Sequence, residues 1–349
     1  MNTSAIHNLA RPDDDSGPPK LVLAPMEGVI DHVMRGLLTR DGAFDLCVTE
    51  FVRITNTLFP ASVFHRYCPE LAAGGRTPVG TPVHVQLLGA DAVLMAENAG
   101  LAADLGALGI DLNFGCPAKT VNRHQGGAVL LEYPERLHRI AATVRSALPG
   151  QVPLTAKMRL GFDDTELALE NARALASAGI QWITVHARTR SDGYRPPAYW
   201  EWIPRIQAAA GIPVIANGEI WSRADFERCR TTTNADGYML GRGALARPDL
   251  ARQIRSVMVP AQAGPLTWHQ VKPLLHELYD GTVAHTPRTQ PQQRAAARVK
   301  QWLRYLGGGY PEAAELFHRV KAERNPQRLM QQVAEPTAAP SGAHSGALS

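Results

Sequence analysis

At residues 109–120 the sequence reads GIDLNFGCPAKT: an apolar run passes Asn113, reaches Gly115 and delivers a cysteine, Cys116, set against Pro117. Seven other apolar runs also end in groups able to hold a ligand or move a proton. KLVLAPM ends in Pro25 and Met26, followed by Glu27; DLCVTEF hands over Glu50 and, just beyond it, Arg53; VHVQLLG carries Gln86. PLTAKMRLG carries Lys157 and Arg159, WITVHART carries His186 and Arg188, PVIANGE ends in Asn217, Gly218 and Glu219, and GYMLGRG ends in Gly241, Arg242 and Gly243. Taken singly, each has an ordinary reading. A strand-end Gln or Asn commonly caps a loop, and a lone cysteine is more often a small core hydrophobe than a catalyst.

The elements that must position these groups decide between the two readings. The eight runs are nearly continuous in apolar residues, as expected of parallel strands covered on both faces by helices. Between them lie stretches with helical spacing, such as LALENARALASAG at 167–179 and ADFERCR at 224–230. Eight β/α units in roughly 240 residues predict an α/β fold, a (β/α)8 TIM barrel, whose active site lies where the strands end. The eight polar strand ends then converge on one mouth.

Composition bounds the rest. The chain has 349 residues, 45% of them hydrophobic, and a formal charge of +4, which permits a polyanionic partner without requiring one. No apolar run approaches the roughly 20 residues of a membrane span, and the N-terminus lacks the pattern of a signal peptide. Cys47, Cys68, Cys116 and Cys229 show neither CxxC pairing nor metal-ligand spacing, so reduced thiols in a cytoplasm are expected. The expected organisation is a disordered tail over 1–19, the barrel over 20–258, a small helical domain over 259–334 and a second disordered tail over 335–349.

Gly241-Arg-Gly243-Ala-Leu-Ala246 formally matches a dinucleotide fingerprint. That pattern needs an acidic residue about 20 positions on, at the end of another strand; AQAGPL at 261–266 supplies neither. The better reading is the phosphate site that TIM barrels often build near their last strands from backbone N–H groups. Gly218 and Gly241 would let the backbone approach a phosphate, and Arg242 adds charge.

At these residues the sequence resembles the tRNA-dihydrouridine synthases, most closely the bacterial type that reduces the uridine at position 16 of the D-loop. LAPMEGV, DLCVTEFVR, VQLLG, DLNFGCPAKTV, KMRLG, VHART, IANGEIW and GRGAL carry the likeness between residues 21 and 245, and ARVKQWLRYL extends it into the helical part. The loop VNRHQGGA departs from relatives richer in glycine at Arg123 and His124. The resemblance implies FMN as cofactor, NADPH or NADH as reductant, and reduction of the uracil C5–C6 bond. It maps flavin contacts onto Pro25, Met26, Glu27, Gln86, Lys157, His186, Asn217, Gly218, Glu219, Gly241 and Arg242. Lys157 would favour an anionic reduced flavin, since opposite charge stabilises the charged form, and Gln86 offers donor and acceptor to the ring's mixed edge. Cys116 is expected to be the general acid: an unperturbed thiol is mostly protonated at neutral pH yet able to donate, and Pro117 stiffens its loop. Asn113 and Arg159 would hold the polar edge of uracil and steady a developing oxyanion.

A base inside a folded tRNA must be flipped out to reach a barrel mouth, and the rest of the RNA needs a basic platform. Residues 288–328 hold nine Arg or Lys against three Glu. On a helical wheel Ala295, Val299, Trp302, Leu303 and Leu306 share one arc, while Arg294, Arg298, Lys300, Gln301, Arg304 and Tyr305 take the other. The resemblance maps tRNA contacts onto Arg53, Asn113, Tyr194, Arg298, Lys300 and Tyr305. A monomer is the expected working unit, with no membrane partner. The nearest alternative, a flavin barrel reducing a free pyrimidine, leaves the basic helices without a purpose.

Overall fold

A computed structural model describes residues 20–258, 264–286 and 289–335. They fall into two compact units, one ending at Pro265 and the other beginning at Leu266. Residues 259–263, where the domain boundary is expected, and the expected tails at 1–19 and 336–349 lie outside the described residues. Glu335 is described, directly after the last helix.

The first unit is built on nine strands, β1 (Lys20–Leu23), β2 (Leu46–Val48), β3 (Val52–Arg53), β4 (Val83–Leu88), β5 (Ile110–Phe114), β6 (Leu154–Gly161), β7 (Ile183–Thr189), β8 (Val214–Asn217) and β9 (Gly237–Leu240). All pairings are parallel, and β2 pairs with both β1 and β4, so the sheet closes on itself as a TIM barrel with helices between strands. The expected strand DLCVTEF holds β2 alone, and the two-residue β3 lies directly beyond it. β2 meets β4 at Cys47–Val83 and β3 meets it at Val52–Leu87, one residue out of step. The irregularity between them, over Thr49–Phe51, is where a bulge re-aims the following residues, and Arg53 is among them.

Every residue of β4 and β7 is buried, as both faces of a barrel strand are covered. Within this pattern a period of two separates the faces. On β4 to β7 the alternate positions are polar: His84 and Gln86, Asp111 and Asn113, Thr155, Lys157 and Arg159, Thr184, His186 and Arg188. On the opposite arc Val22, Ala24, Leu46, Val48, Ile215 and Met239 gather with Trp182 in one buried apolar cluster. Outside the barrel, Asp31, Asp91 and Ser222 cap helices by accepting backbone N–H groups. The buried Arg35 guanidinium donates to both oxygens of Glu70 at 2.8 Å and to the Ile30 and Tyr67 carbonyls at 3.1 Å. It thereby ties the excursion between β3 and β4 to the first helix.

The second unit comprises helices Trp268–Val271, Leu274–His285, Pro291–Leu306, Pro311–Val320 and Pro326–Ala334. The apolar arc read from the sequence is buried, joined by Ala296. Among the described residues no helix is long and apolar enough to cross a membrane.

Candidate active site

Strand register lines up the polar positions in tiers. Gln86 pairs with Asp111 and Asp111 with Thr155; Asn113 pairs with Lys157; Arg159 pairs with His186, and His186 with Asn217. In the first tier Gln86 Nε2 donates to Asp111 at 2.7 Å and Thr155 Oγ1 donates to the other carboxylate oxygen at 2.6 Å. Because Asp111 takes the Gln86 amide nitrogen, the amide oxygen turns to accept Asn113 Nδ2 at 2.9 Å. Asn113 Oδ1 then accepts the Gly115 N–H at 2.9 Å, one residue before Cys116. Burial raises the Asp111 carboxyl, and its hydrogen bonds and Lys157 pull against that. Burial brings the Lys157 ammonium down to about 8, with Arg159 adding to the shift and Asp111 and Cys116 opposing it.

Cys116 is 7% exposed and lies in an apolar cluster with Phe51, Leu88 and Val121. Burial pushes its thiol up; the Ala118 N–H opposes this, Glu27 adds to it, and Arg159 and Arg53 oppose it. The thiol is therefore protonated at neutral pH, and four charged residues — Glu27, Arg53, Lys157 and Arg159 — are close enough to bear on it. The other cysteines, Cys47, Cys68 and Cys229, are fully buried, with thiols pushed up to about 12 or beyond by burial. Arg53 reaches the loop after β5, where its guanidinium lies 3.3 Å from the Thr120 carbonyl and 3.1 Å from His124 Nδ1. Arg159, almost wholly buried, bridges loops: it donates to the Gly115, Thr189 and Gly193 carbonyls, each at 2.9 Å.

On the other side of the mouth, Glu219 is the hub. Its carboxylate lies 2.7 Å from the buried Arg188 guanidinium and 3.1 Å from Arg242, and accepts Trp221 Nε1 at 3.2 Å. Gly218 and Glu219 both have positive φ, 120° and 57°. A left-handed non-glycine backbone costs of order 1 kcal/mol, and here the ion pairs hold it in place. A Cβ on Gly218 would come within 3.1 Å of His186 Cδ2. Burial holds the His186 imidazole well below its ordinary range, and Arg159, Lys157, Arg188 and Arg242 reinforce the shift. His186 is thus neutral; with Nε2 3.3 Å from Arg188 Nη1, the hydrogen-bond network assigns its proton to Nδ1. Tyr194, 54% exposed, has the Arg159 and Arg242 guanidinium carbons 5.3 and 5.1 Å from its ring centre and the His186 ring 6.0 Å away. Asn217 donates to the Met239 carbonyl at 2.9 Å. A Cβ on Gly241 would stand 3.6 Å from Ala24 and 3.7 Å from the Met26 sulfur. Pro25 and Met26 are half-buried and Glu27 is exposed.

Residues 22–338 match the protein family described as dihydrouridine synthase (Dus). The chain belongs to the dihydrouridine synthase family. Among relatives in the family, an Aquipseudomonas alcaligenes protein named tRNA-dihydrouridine(16) synthase is 49% identical over 315 residues, covering 90% of this chain and 99% of its own. One of the same name from Pseudomonas putida is 50% identical over 311 residues, covering 89% and 95%. A solved complex of 2-naphthoyl-CoA reductase with 2-naphthoyl-CoA matches the fold with a TM-score of 0.54 at 12% identity, over 72% of this chain and 52% of that one.

The barrel gathers the strand-end residues of this dihydrouridine synthase family member at one mouth, while Arg298, Lys300 and Tyr305 belong to the second unit, all half-buried. Lys300 has a structural task there: its ammonium donates to the Glu323 carbonyl at 2.9 Å and the Lys321 carbonyl at 3.4 Å, beyond the end of helix Pro311–Val320. Sequence reading missed Asp111 and gave Arg188 no role. Both stand two residues from a named site residue on the same strand, a period-two signal that was available in the sequence.

Proposed function

We propose that this protein is a flavin-dependent tRNA-dihydrouridine synthase that reduces the C5–C6 double bond of a D-loop uridine, at position 16, with NADPH. One observation carries the reading: a protonated thiol, Cys116, sits among Arg53, Lys157 and Arg159 at the mouth of a dihydrouridine synthase barrel. The names of the relatives support the choice of uridine.

The residues present fit FMN. Gly218, with a φ of 120°, leaves its backbone bare where a Cβ would press on His186. Arg242 and Lys157 supply positive charge for an anionic ligand, and the Gln86 amide has a fixed orientation. Pro25, Met26, Glu27, Gln86, Lys157, His186, Asn217, Gly218, Glu219, Gly241 and Arg242 would hold the cofactor. When bound and reduced, it supplies the hydride for uracil C6. Cys116 holds the proton for C5; burial keeps it on sulfur until the negative charge developing on the base draws it off. Asn113, with its oxygen committed to Gly115 and one amide hydrogen to Gln86, keeps its second amide hydrogen for the base's polar edge, and Arg159 places positive charge nearby. Tyr194 offers an exposed ring against which a base can stack.

On this reading the second unit is an RNA platform. The helix Pro291–Leu306 buries its apolar arc, leaving Arg294 and Arg304 exposed and Arg298 half-buried. Arg298→Gln tests this while leaving the Lys300 contacts intact. The tRNA dissociation constant should rise and its salt dependence flatten, with flavin content unchanged. Unchanged binding at several salt concentrations would reduce this arc to an ordinary solvated face. The enzyme is expected to work as a cytoplasmic monomer.

A further inference from the structure

Asn122 holds the Cys116 loop together from within. It lies on the short helix Lys119–Arg123 and is 7% exposed. Its amide nitrogen donates to the Cys116 carbonyl at 3.0 Å and to the Ala118 carbonyl at 2.8 Å. Its amide oxygen accepts the Val129 N–H at 2.8 Å. Both amide hydrogens and the oxygen are thus committed to backbone groups at the two ends of one loop. The Cys116 carbonyl also accepts the Ala128 N–H at 3.1 Å. Gly127, with φ of 69°, passes so close that a Cβ there would stand 2.8 Å from the Cys116 oxygen and 3.2 Å from its Cβ. The backbone of Cys116 is therefore fixed through its own carbonyl, which sets where its Cβ stands and leaves the thiol only the staggered rotamers about that bond.

We propose that Asn122 is a positioning residue that fixes Cys116 in the orientation from which its proton reaches the substrate. The inference rests on the reading of Cys116 as proton donor. An asparagine that merely stabilises a loop would affect the fold; one that positions Cys116 affects the thiol's reactivity in a folded protein.

Cys116 supplies its own probe, because Cys47, Cys68 and Cys229 are fully buried and should label only on unfolding. Labelling with iodoacetamide, followed by peptide mass spectrometry across pH, separates the limiting rate from the thiol's titration. It is applied to Asn122→Ala and to Asn122→Ser, whose hydroxyl can still bond back to the Ala118 carbonyl four residues earlier but is too short to reach Cys116 or Val129. The proposal expects Cys116 labelling to rise at least about tenfold in both, as follows from losing hydrogen bonds of ordinary strength. The other three cysteines stay unlabelled, kcat falls, and flavin content and KM for tRNA are preserved. Unchanged Cys116 labelling in folded variants overturns it, whatever happens to turnover. Faster labelling with wild-type kcat overturns it too, as does labelling of all four cysteines in both variants, which would make Asn122 a mere element of the fold. Cys116→Ala is assayed alongside. If that variant turns over normally, the proton-donor reading itself fails, whereas failure of the Asn122 inference alone leaves Cys116→Ala inactive.

Discussion

The two arcs of the barrel are built to opposite rules. From β4 to β7 alternate residues are polar, and from β4 to β6 they are bonded across strands, ending beside the Cys116 loop. From β8 through β9 and β1 to β2 the alternate residues form an apolar cluster, and polarity returns only at the tips, in Asn217-Gly218-Glu219 and Gly241-Arg242. The first arc fixes where neutral amides and one thiol point. The second presents backbone and paired charge. On the proposed function, proton delivery belongs to the first arc, and the grip on an anionic cofactor to the tips of the second together with Lys157.

Removing the thiol should break the comparison most sharply. Cys116→Ala should lose about 10²–10⁴ in turnover, the usual worth of general acid catalysis, while retaining flavin and tRNA binding; dihydrouridine yield by nucleoside mass spectrometry measures it. On the other arc, Glu219→Gln leaves the buried Arg188 guanidinium without its counter-charge. A loss of about 3 kcal/mol in stability is expected, with flavin content falling in parallel, measured by denaturant unfolding and by absorbance.

A subtler effect is a pH dependence that belongs to Lys157. Its pKa, lowered to about 8, means the ammonium is intact below pH 8 and progressively lost above it. Affinity for an anionic flavin should therefore be full below pH 8 and weaken above it, by up to about tenfold per pH unit until the bound-state pKa is passed. Lys157→Arg should flatten the profile in titrations followed by flavin fluorescence. In the ligand-free protein the sign is opposite: between about pH 8 and the ordinary lysine range the unfolded chain holds more protons, so this group's contribution to stability rises with pH. The smallest effect belongs to the apolar cluster. Ile215→Val should cost about 1 kcal/mol and leave flavin content and turnover unchanged; a loss of turnover would show that the arcs are not separable.

Much of this arrangement is legible in the sequence because a barrel places every strand end at one mouth. Eight apolar runs gave eight strand positions, and each run's last polar residues proved to be neighbours. The break after β2 and the separate β3 were hidden, since a one-residue slip in pairing leaves no mark in the residues from Leu46 to Arg53. Asp111 was marked only by its two-residue spacing from Asn113; that it sets an amide's orientation shows only in its hydrogen bonds to Gln86 and Thr155. Lys300 shows the converse limit, because a helical wheel gives a residue's direction but not the carbonyls of another helix's end that meet it.

The central claim is tested most directly by incubating the purified protein with unmodified tRNA and NADPH and mapping the product by nuclease digestion and mass spectrometry. The account predicts yellow protein and a gain of two hydrogens at one D-loop uridine, position 16, absent when NADPH is omitted. Flavin-free protein, or flavin-loaded protein that consumes NADPH yet leaves every tRNA uridine unreduced, would contradict it.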